Sequence, residues 1–144
     1  MNARDVVELV YRTLSDRGPD AVAEFIDPEA TLVAADGARI EGREKVLDHL
    51  RRERAAFSNL VTEVRVVAVD GPVVVLEGVM RGRHDRELSL PSGHTLPATG
   101  REINLEMMVV AQVANDRVTQ VRRYFDRLAL MAQLGVLPSV PGAP

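Results

Sequence analysis

The chain has 144 residues, of which 46% are hydrophobic, and this length and composition indicate a single folded domain with one core. Its formal net charge is −3, it contains no cysteine, and no apolar run approaches the roughly 20 residues of a membrane span. These features argue against nucleic acid, membranes, disulfides and thiolate chemistry, and they predict a cytoplasmic protein.

The first part of the chain has helical periodicity. Apolar residues between positions 3 and 14 recur at helical spacing, with a glycine just beyond as a stop. A proline opens a short helix over 19–25. The stretch "ATLVAADGARIEG" predicts a hairpin that turns at Asp36-Gly37. A third amphipathic helix is predicted over 43–57.

The later part of the chain alternates in the manner of strands and turns at Asn115-Asp116. The predicted strands are 60–69, 73–82, 103–113 and 117–125. A last helix is predicted over 126–135, closed by a glycine. Three helices, a four-stranded meander and a last helix predict an α+β domain over 1–138, with helices on one face of a curved sheet and a flexible tail over 139–144.

Two segments carry a family resemblance: "LPATGRE" (96–102) and "VTQVRRYFDRLALMAQLG" (118–135). They resemble the SnoaL-like branch of the nuclear transport factor 2-like superfamily, which includes polyketide cyclases. The resemblance implies a cone, in which a curved antiparallel sheet and N-terminal helices enclose an apolar pocket. It also implies a homodimer or higher homo-oligomer. The family's cyclases close a polyketide ester by an intramolecular aldol reaction without a metal or an organic cofactor.

Asp126 matches the pocket carboxylate that acts as general acid/base in those cyclases. Strict pairing from a two-residue turn would place Asp126 across from Leu105 and Tyr124 across from Met107. A carboxylate facing these apolar residues would have a raised pKa suited to proton transfer. Asp126 is also placed to be the N-cap of the last helix. A bulged turn would shift the register by one and exchange the two faces.

Other residues are candidates for substrate binding. Tyr124 could orient a substrate oxygen or pack in the core, and Arg122 could bind an enolate or face solvent. His84 matches a family histidine, but its charged neighbours differ from the family's small residues. Tyr11 could reach the pocket as a hydroxyl donor, and Arg123 is expected on the face opposite Arg122. Leu105 and Met107 are expected as apolar liners.

The loop "SLPSGHTLPATGRE" (89–102) either rims the pocket or forms a structural corner. His49 is expected to lie at the surface or in helix packing, and no metal-ligand spacing is present. The predicted function is aldol-type cyclisation of a hydrophobic, carbonyl-rich small molecule. The alternatives are a non-catalytic binding protein and an isomerase or epoxide-opening hydrolase on the same fold.

Overall fold

Within residues 1–90 and 92–137, which the computed structural model describes, helices cover one face of a curved six-stranded sheet. The helices are α1 (Ala3–Arg17), α2 (Arg43–Ala56) and α3 (Arg127–Leu134), with a 3-10 helix at Pro19–Phe25. The sheet contains β1 (Ile26–Val33), β2 (Arg39–Glu41), β3 (Phe57–Asp70), β4 (Val73–His84), β7 (Glu102–Ala114) and β8 (Arg117–Phe125). Two short strands, β5 (Leu88–Ser89) and β6 (Thr95–Leu96), pair within the loop between β4 and β7. The predicted tail, 139–144, and Pro91 of that loop lie outside the described residues.

The predicted helices are confirmed, and their ends follow from local chemistry. Asn2 caps α1 in a reciprocal capping box with Asp5, which satisfies backbone N–H groups that have no partner inside the helix. One face of α1 packs against the sheet, and its buried residues are Val6, Val7, Val10 and Tyr11. No helix in the described part of the chain is long and apolar enough to span a membrane.

The sheet has the strand order β2-β1-β8-β7-β4-β3. The predicted meander of the four long strands is confirmed, and the predicted hairpin, β1 with β2, extends it to six strands. Because β1 pairs with β8 in parallel, the sheet is mixed rather than purely antiparallel. A two-stranded hairpin is only marginally stable alone, and the pairing with β8 joins this one to the sheet. Ala30 and Leu32 of β1 are buried, and Leu32 packs with Val46 of α2.

The predicted register between β7 and β8 is wrong by one residue. Both residues of the Asn115-Asp116 turn have positive φ, as a tight two-residue hairpin turn requires. A bulge between Gln112 and Val113 then leaves Thr119 as the extra residue of β8, and its hydroxyl donates to the carbonyl of Gln112 at 3.3 Å. Beyond the bulge, Met107 pairs with Phe125 and Met108 with Tyr124. The side chains of β8 therefore exchange faces relative to the prediction.

Candidate active site

A cavity of about 420 Å³ lies between the inner face of the sheet, α2, α3 and the loop that joins β4 to β7. Its volume falls within the roughly 300–1,000 Å³ that small-molecule sites occupy. Much of its wall is apolar and comes from the sheet and the loop. These apolar residues include Phe57, Met80, Leu88, Ile103, Leu105 and Phe125.

Three ionisable side chains, His49, Glu53 and Arg123, line the buried end of this cavity. Nη1 of Arg123 donates to both carboxylate oxygens of Glu53, at 2.8 and 2.7 Å. Nε2 of His49 lies 3.7 Å from the nearer of these oxygens. His49 and Glu53 are one helical turn apart on α2, so their side chains lie on the same face of the helix, the face directed at Arg123 of β8. The exposed fractions of the Arg123 and Glu53 side chains are 8% and 18%, which makes this a buried ion pair beside an imidazole.

The surroundings fix the charge state of this cluster. Burial alone would raise the pKa of Glu53, but the charge and hydrogen bonds of Arg123, with a contribution from His49, outweigh it and hold this pKa below its usual value. Burial also lowers the pKa of His49, against the opposing charge of Glu53. At neutral pH the cluster therefore contains an ionised carboxylate, a guanidinium and a neutral imidazole.

The loop between β4 and β7 forms one wall of the cavity, and its tip lies at the mouth of the cavity. Ser89, Ser92, His94 and Thr95 line this side, and Ser92 Oγ lies 3.1 Å from His94 Nδ1. Three of the four are exposed, in contrast to the buried Glu53–Arg123 end. The loop contributes to the wall of the cavity in addition to joining two strands.

His84 holds the base of this loop in place. Its side chain is fully buried, and the backbone N–H of Thr99 donates to its Nδ1 at 3.3 Å. Its backbone also bonds to Gly100 and Arg101, both at 2.8 Å. The imidazole lies beside Phe57, with 5.3 Å between the ring centroids, so His84 supports the cavity wall from behind.

The structure brings few of the predicted substrate-binding residues to the cavity. Leu105 lines it, whereas Met107 packs in the core beside it. Arg122 and Tyr124 lie on the outer face of the sheet, because the bulge in β8 turns them away from the helices. Tyr11 is buried under α1, where its hydroxyl faces Arg123 from a separate small cavity.

Asp126 caps α3 rather than facing apolar residues across the sheet. Its side chain accepts a hydrogen bond from the backbone N–H of Ala129 at 3.1 Å, and it is exposed. The expectation that it faces Leu105 depended on the register that the bulge overturns. A catalytic role for Asp126 stays a prediction.

The polar cluster of His49, Glu53 and Arg123 is not among the predicted site residues. Arg123 was placed correctly on the face opposite Arg122, but the faces themselves were exchanged. His49, expected at the surface or in helix packing, is buried beside Glu53, a residue for which the sequence pattern predicts no role. The available signal was the spacing of His49 and Glu53, four residues apart on one amphipathic helix. Within residues 1–90 and 92–137, no group of three His, Asp or Glu side chains is placed to hold a metal ion.

Solved structures share this fold along almost the whole chain. A putative SnoaL-like polyketide cyclase from Jannaschia sp. CCS1 has 21% identity and a TM-score of 0.81, over 94% of this chain and 93% of that one. IdmH, a putative polyketide cyclase from Streptomyces antibioticus, has 23% identity and a TM-score of 0.76, over 94% and 100%. An LEH-like epoxide hydrolase of M. tuberculosis has 19% identity and a TM-score of 0.70, over 92% and 88%. At these identities the likeness establishes the fold.

Membership of a family follows from the sequence itself. A search of curated proteins finds no match to the chain. The model of the SnoaL-like polyketide cyclase family, however, matches residues 4–134 and so covers every helix and sheet strand described above except the first residue of α1. The chain therefore belongs to the SnoaL-like polyketide cyclase family.

Proposed function

We propose that the protein is a cofactor-independent enzyme that performs acid/base chemistry on a hydrophobic, carbonyl-rich small molecule. The preferred reaction is an intramolecular aldol closure. One observation carries the proposal: a neutral imidazole, His49, lies beside the ion-paired carboxylate of Glu53 in an otherwise largely apolar cavity. A base that is unprotonated at neutral pH, next to a fixed negative charge, is suited to removing a proton from carbon.

In this mechanism His49 takes a proton from the carbon next to a substrate carbonyl. Glu53 stabilises the imidazolium that forms, and the 3.7 Å separation shortens into a hydrogen bond as the charge develops. The enolate carbon then attacks a second carbonyl carbon of the same molecule, forming a C–C bond and an alkoxide. The proton returns from His49 to the alkoxide oxygen, so substrate and product are isomers. Enclosure in the cavity holds the two carbonyls in reacting contact.

The test is ring closure of linear poly-β-keto methyl esters, followed by chromatography with mass detection of an isomer. His49→Gln and Glu53→Gln are expected to abolish closure while circular dichroism stays that of a folded protein. Asp126→Asn is the matched control, because it conserves the cap and lies outside the cavity. Loss of closure in Asp126→Asn with activity retained in His49→Gln would move the base to Asp126 and overturn the assignment to His49.

Two further measurements distinguish the alternative functions. Saturable binding of these esters without any isomer in the product would favour a non-catalytic binding protein. Hydration of styrene oxide that depends on His49 would favour epoxide opening, the reaction in the name of the M. tuberculosis neighbour.

We also propose that the protein forms a homodimer through the outer face of the sheet. Met108 and Tyr124 are direct cross-strand partners there, with exposed fractions of 38% and 52%. They line an open groove of about 540 Å³ together with the ion-paired residues Arg65 and Glu77. Sedimentation velocity should show a dimer for the wild type and a monomer for Met108→Glu/Tyr124→Arg. A wild type that sediments as a monomer at high concentration would contradict the proposal.

A further inference from the structure

A second carboxylate, that of Asp36, lines the same cavity as His49, from the wall that the β1–β2 hairpin forms. The backbone N–H of Gly37 closes the turn of this hairpin by donating to the carbonyl of Ala34 at 2.9 Å. Oδ1 of Asp36 accepts a hydrogen bond from the backbone N–H of Ala38, also at 2.9 Å. An aspartate that bonds to the backbone two residues on is held in place by its own turn. The carboxylate therefore has a fixed position in the cavity wall.

The hairpin packs on α2 in a way that brings Asp36 towards His49. Ala34 and Ala38 flank Asp36 in the chain, and both belong to one apolar cluster. The same cluster includes Leu50, the residue of α2 next to His49. Burial is the largest influence on the pKa of His49 and lowers it, whereas the negative charge of Asp36 acts in the opposite direction. Packing and charge therefore both connect the hairpin to the imidazole.

Asp36 and Glu53 differ in how their charges are compensated. The two oxygens of Glu53 lie 2.8 and 2.7 Å from Nη1 of Arg123, so this carboxylate already has its cation. In addition to burial, the positive charges of Arg123 and of the exposed Arg52 lower the pKa of His49. No residue that the structure describes forms an ion pair with Asp36. The charge of Asp36 is therefore uncompensated.

Proton removal by His49 would create a positive charge in this partly enclosed site. An imidazolium there needs a negative charge that is not already matched by a cation, because two opposite charges that neutralise each other exert little net field. The other walls of the cavity add Arg127 of α3 and His94 of the loop, both of which are exposed and screened by solvent. Asp36 is partly buried, so its charge is screened less.

We propose that Asp36 supplies the negative charge that balances His49 when His49 takes a proton from the substrate. The inference rests on the proposed function and deepens it. Glu53 offers the imidazolium a hydrogen-bond acceptor, whereas Asp36 offers uncompensated charge. Asp36 acts through His49 and is a positioning residue rather than a catalytic one. Because stabilising the protonated form strengthens a base, Asp36 increases the rate at which His49 removes a proton from carbon.

The first test is the titration of the His49 ring protons, followed by NMR and assigned with His49→Gln. Asp36→Asn keeps an acceptor for the N–H of Ala38 but removes the charge, so the pKa of His49 should fall below that of the wild type. If this variant does not fold, Asp36→Ser serves the same purpose, since a hydroxyl also accepts at such a turn. A His49 titration that is unchanged in a folded Asp36 variant would overturn the inference.

Asp27→Asn is the matched control for the loss of a charge. Asp27 lies in β1 and accepts from the backbone N–H of Glu29 at 2.9 Å, the same local bond that Asp36 makes. It does not line the cavity, and its charge is not among those that act on the pKa of His49. Asp27→Asn should therefore leave the His49 titration as it is in the wild type.

The second test is the pH profile of a reaction that needs a base, the exchange of the methyl protons of 2-acetonaphthone for deuterium in heavy water. In Asp36→Asn the midpoint of the profile should move to lower pH, and the plateau at high pH should fall by about twofold to fivefold, because a weaker base loses its proton more easily but removes one more slowly. A plateau that falls while the midpoint stays in place would indicate structural damage alone and would overturn the inference.

Together the two tests distinguish this inference from the proposed function. A wild type without exchange, whose His49 titration still responds to Asp36→Asn, would refute the proposed function and leave the charge balance standing. Wild-type exchange with equal His49 titrations in the two proteins would refute the charge balance alone. Exchange that survives in His49→Gln and is lost in Asp36→Asn would make Asp36 itself the base and overturn the inference.

Discussion

Arg123 and Glu53 are 70 residues apart in the chain, yet Nη1 of Arg123 reaches both oxygens of Glu53, at 2.8 and 2.7 Å. The pair joins the inner face of β8 to α2 and fixes the helix face that carries His49. The same contact therefore has a structural role in closing the cavity and a chemical role in setting the charge beside the imidazole.

Removing one partner of this pair should destabilise the fold strongly. Arg123→Met would leave the Glu53 carboxylate buried without its cation, and we expect a loss of about 3–5 kcal/mol in the free energy of unfolding. Arg123→Met/Glu53→Met should recover most of that loss, because no uncompensated charge remains. Urea denaturation of the two single variants and the double variant measures the coupling. Strictly additive effects would show that the pair does not act as a unit.

Asp126→Ala should cost about 1 kcal/mol of stability, because the backbone N–H of Ala129 loses its acceptor at the start of α3. Asp126→Asn should cost much less, since an amide oxygen caps nearly as well. Both proteins should keep wild-type turnover once folded. Thermal and urea unfolding give the stabilities, and an activity loss that exceeds the unfolded fraction would contradict this assignment.

A bulky residue on the cavity side of α3 should block the ligand. Leu130 lines the cavity and is partly buried, whereas Leu128 on the same helix is 63% exposed and lies outside it. Leu130→Trp should weaken the binding of 2-acetonaphthone by at least about tenfold, and Leu128→Trp should leave it unchanged. Calorimetric titration of both variants is the measurement. Equal affinities would place the ligand elsewhere.

The stability of the loop wall should depend on pH through His84. Burial lowers the pKa of His84 below 6.5, against smaller opposing effects of the Arg86 backbone and Asp85. As the pH falls below about 6.5 the unfolded chain takes up the proton first, so the stability that is complete above this pH declines below it. His49 acts in the same direction, because burial lowers its pKa as well.

The matched variant is His84→Asn, whose amide oxygen still accepts from the Thr99 N–H but does not titrate near neutral pH. Between about pH 7.5 and about pH 5.5 the wild type should lose more unfolding free energy than this variant, and the protection of the Thr99 amide, taken relative to its intrinsic exchange rate at each pH, should fall further in the wild type. Identical pH profiles for the two proteins would exclude His84 as the titrating group.

Local signals predicted most of the fold. Apolar periodicity placed α1 and α2, and paired strands with turn residues predicted the four long strands. The glycine at 135 ends α3 in a left-handed conformation, as expected of a helix stop. These features depend on neighbours in the sequence, so a single chain is enough to reveal them. The parallel pairing of β1 with β8 is a contact between distant segments and leaves no such local pattern.

The candidate site was harder to predict, because one extra residue in β8 decides which side chains face the cavity. The bulge at Thr119 is set by backbone geometry and a single side-chain hydrogen bond, neither of which the pattern of apolar residues reveals. With the faces exchanged, the expected trio of Arg122, Tyr124 and Asp126 lies away from the cavity, and Arg123 takes the inner position. The contribution of α2 is a tertiary contact, and only the helical spacing of His49 and Glu53 hinted at it.

The most direct test of the central claim measures proton removal without requiring the natural substrate. Exchange of the methyl protons of 2-acetonaphthone for deuterium in heavy water, followed by NMR, reports whether the cavity contains a working base. The wild type and Asp126→Asn should accelerate exchange over buffer, and His49→Gln should not. No acceleration by the wild type, or exchange that survives in His49→Gln and is lost in Asp126→Asn, would contradict the account.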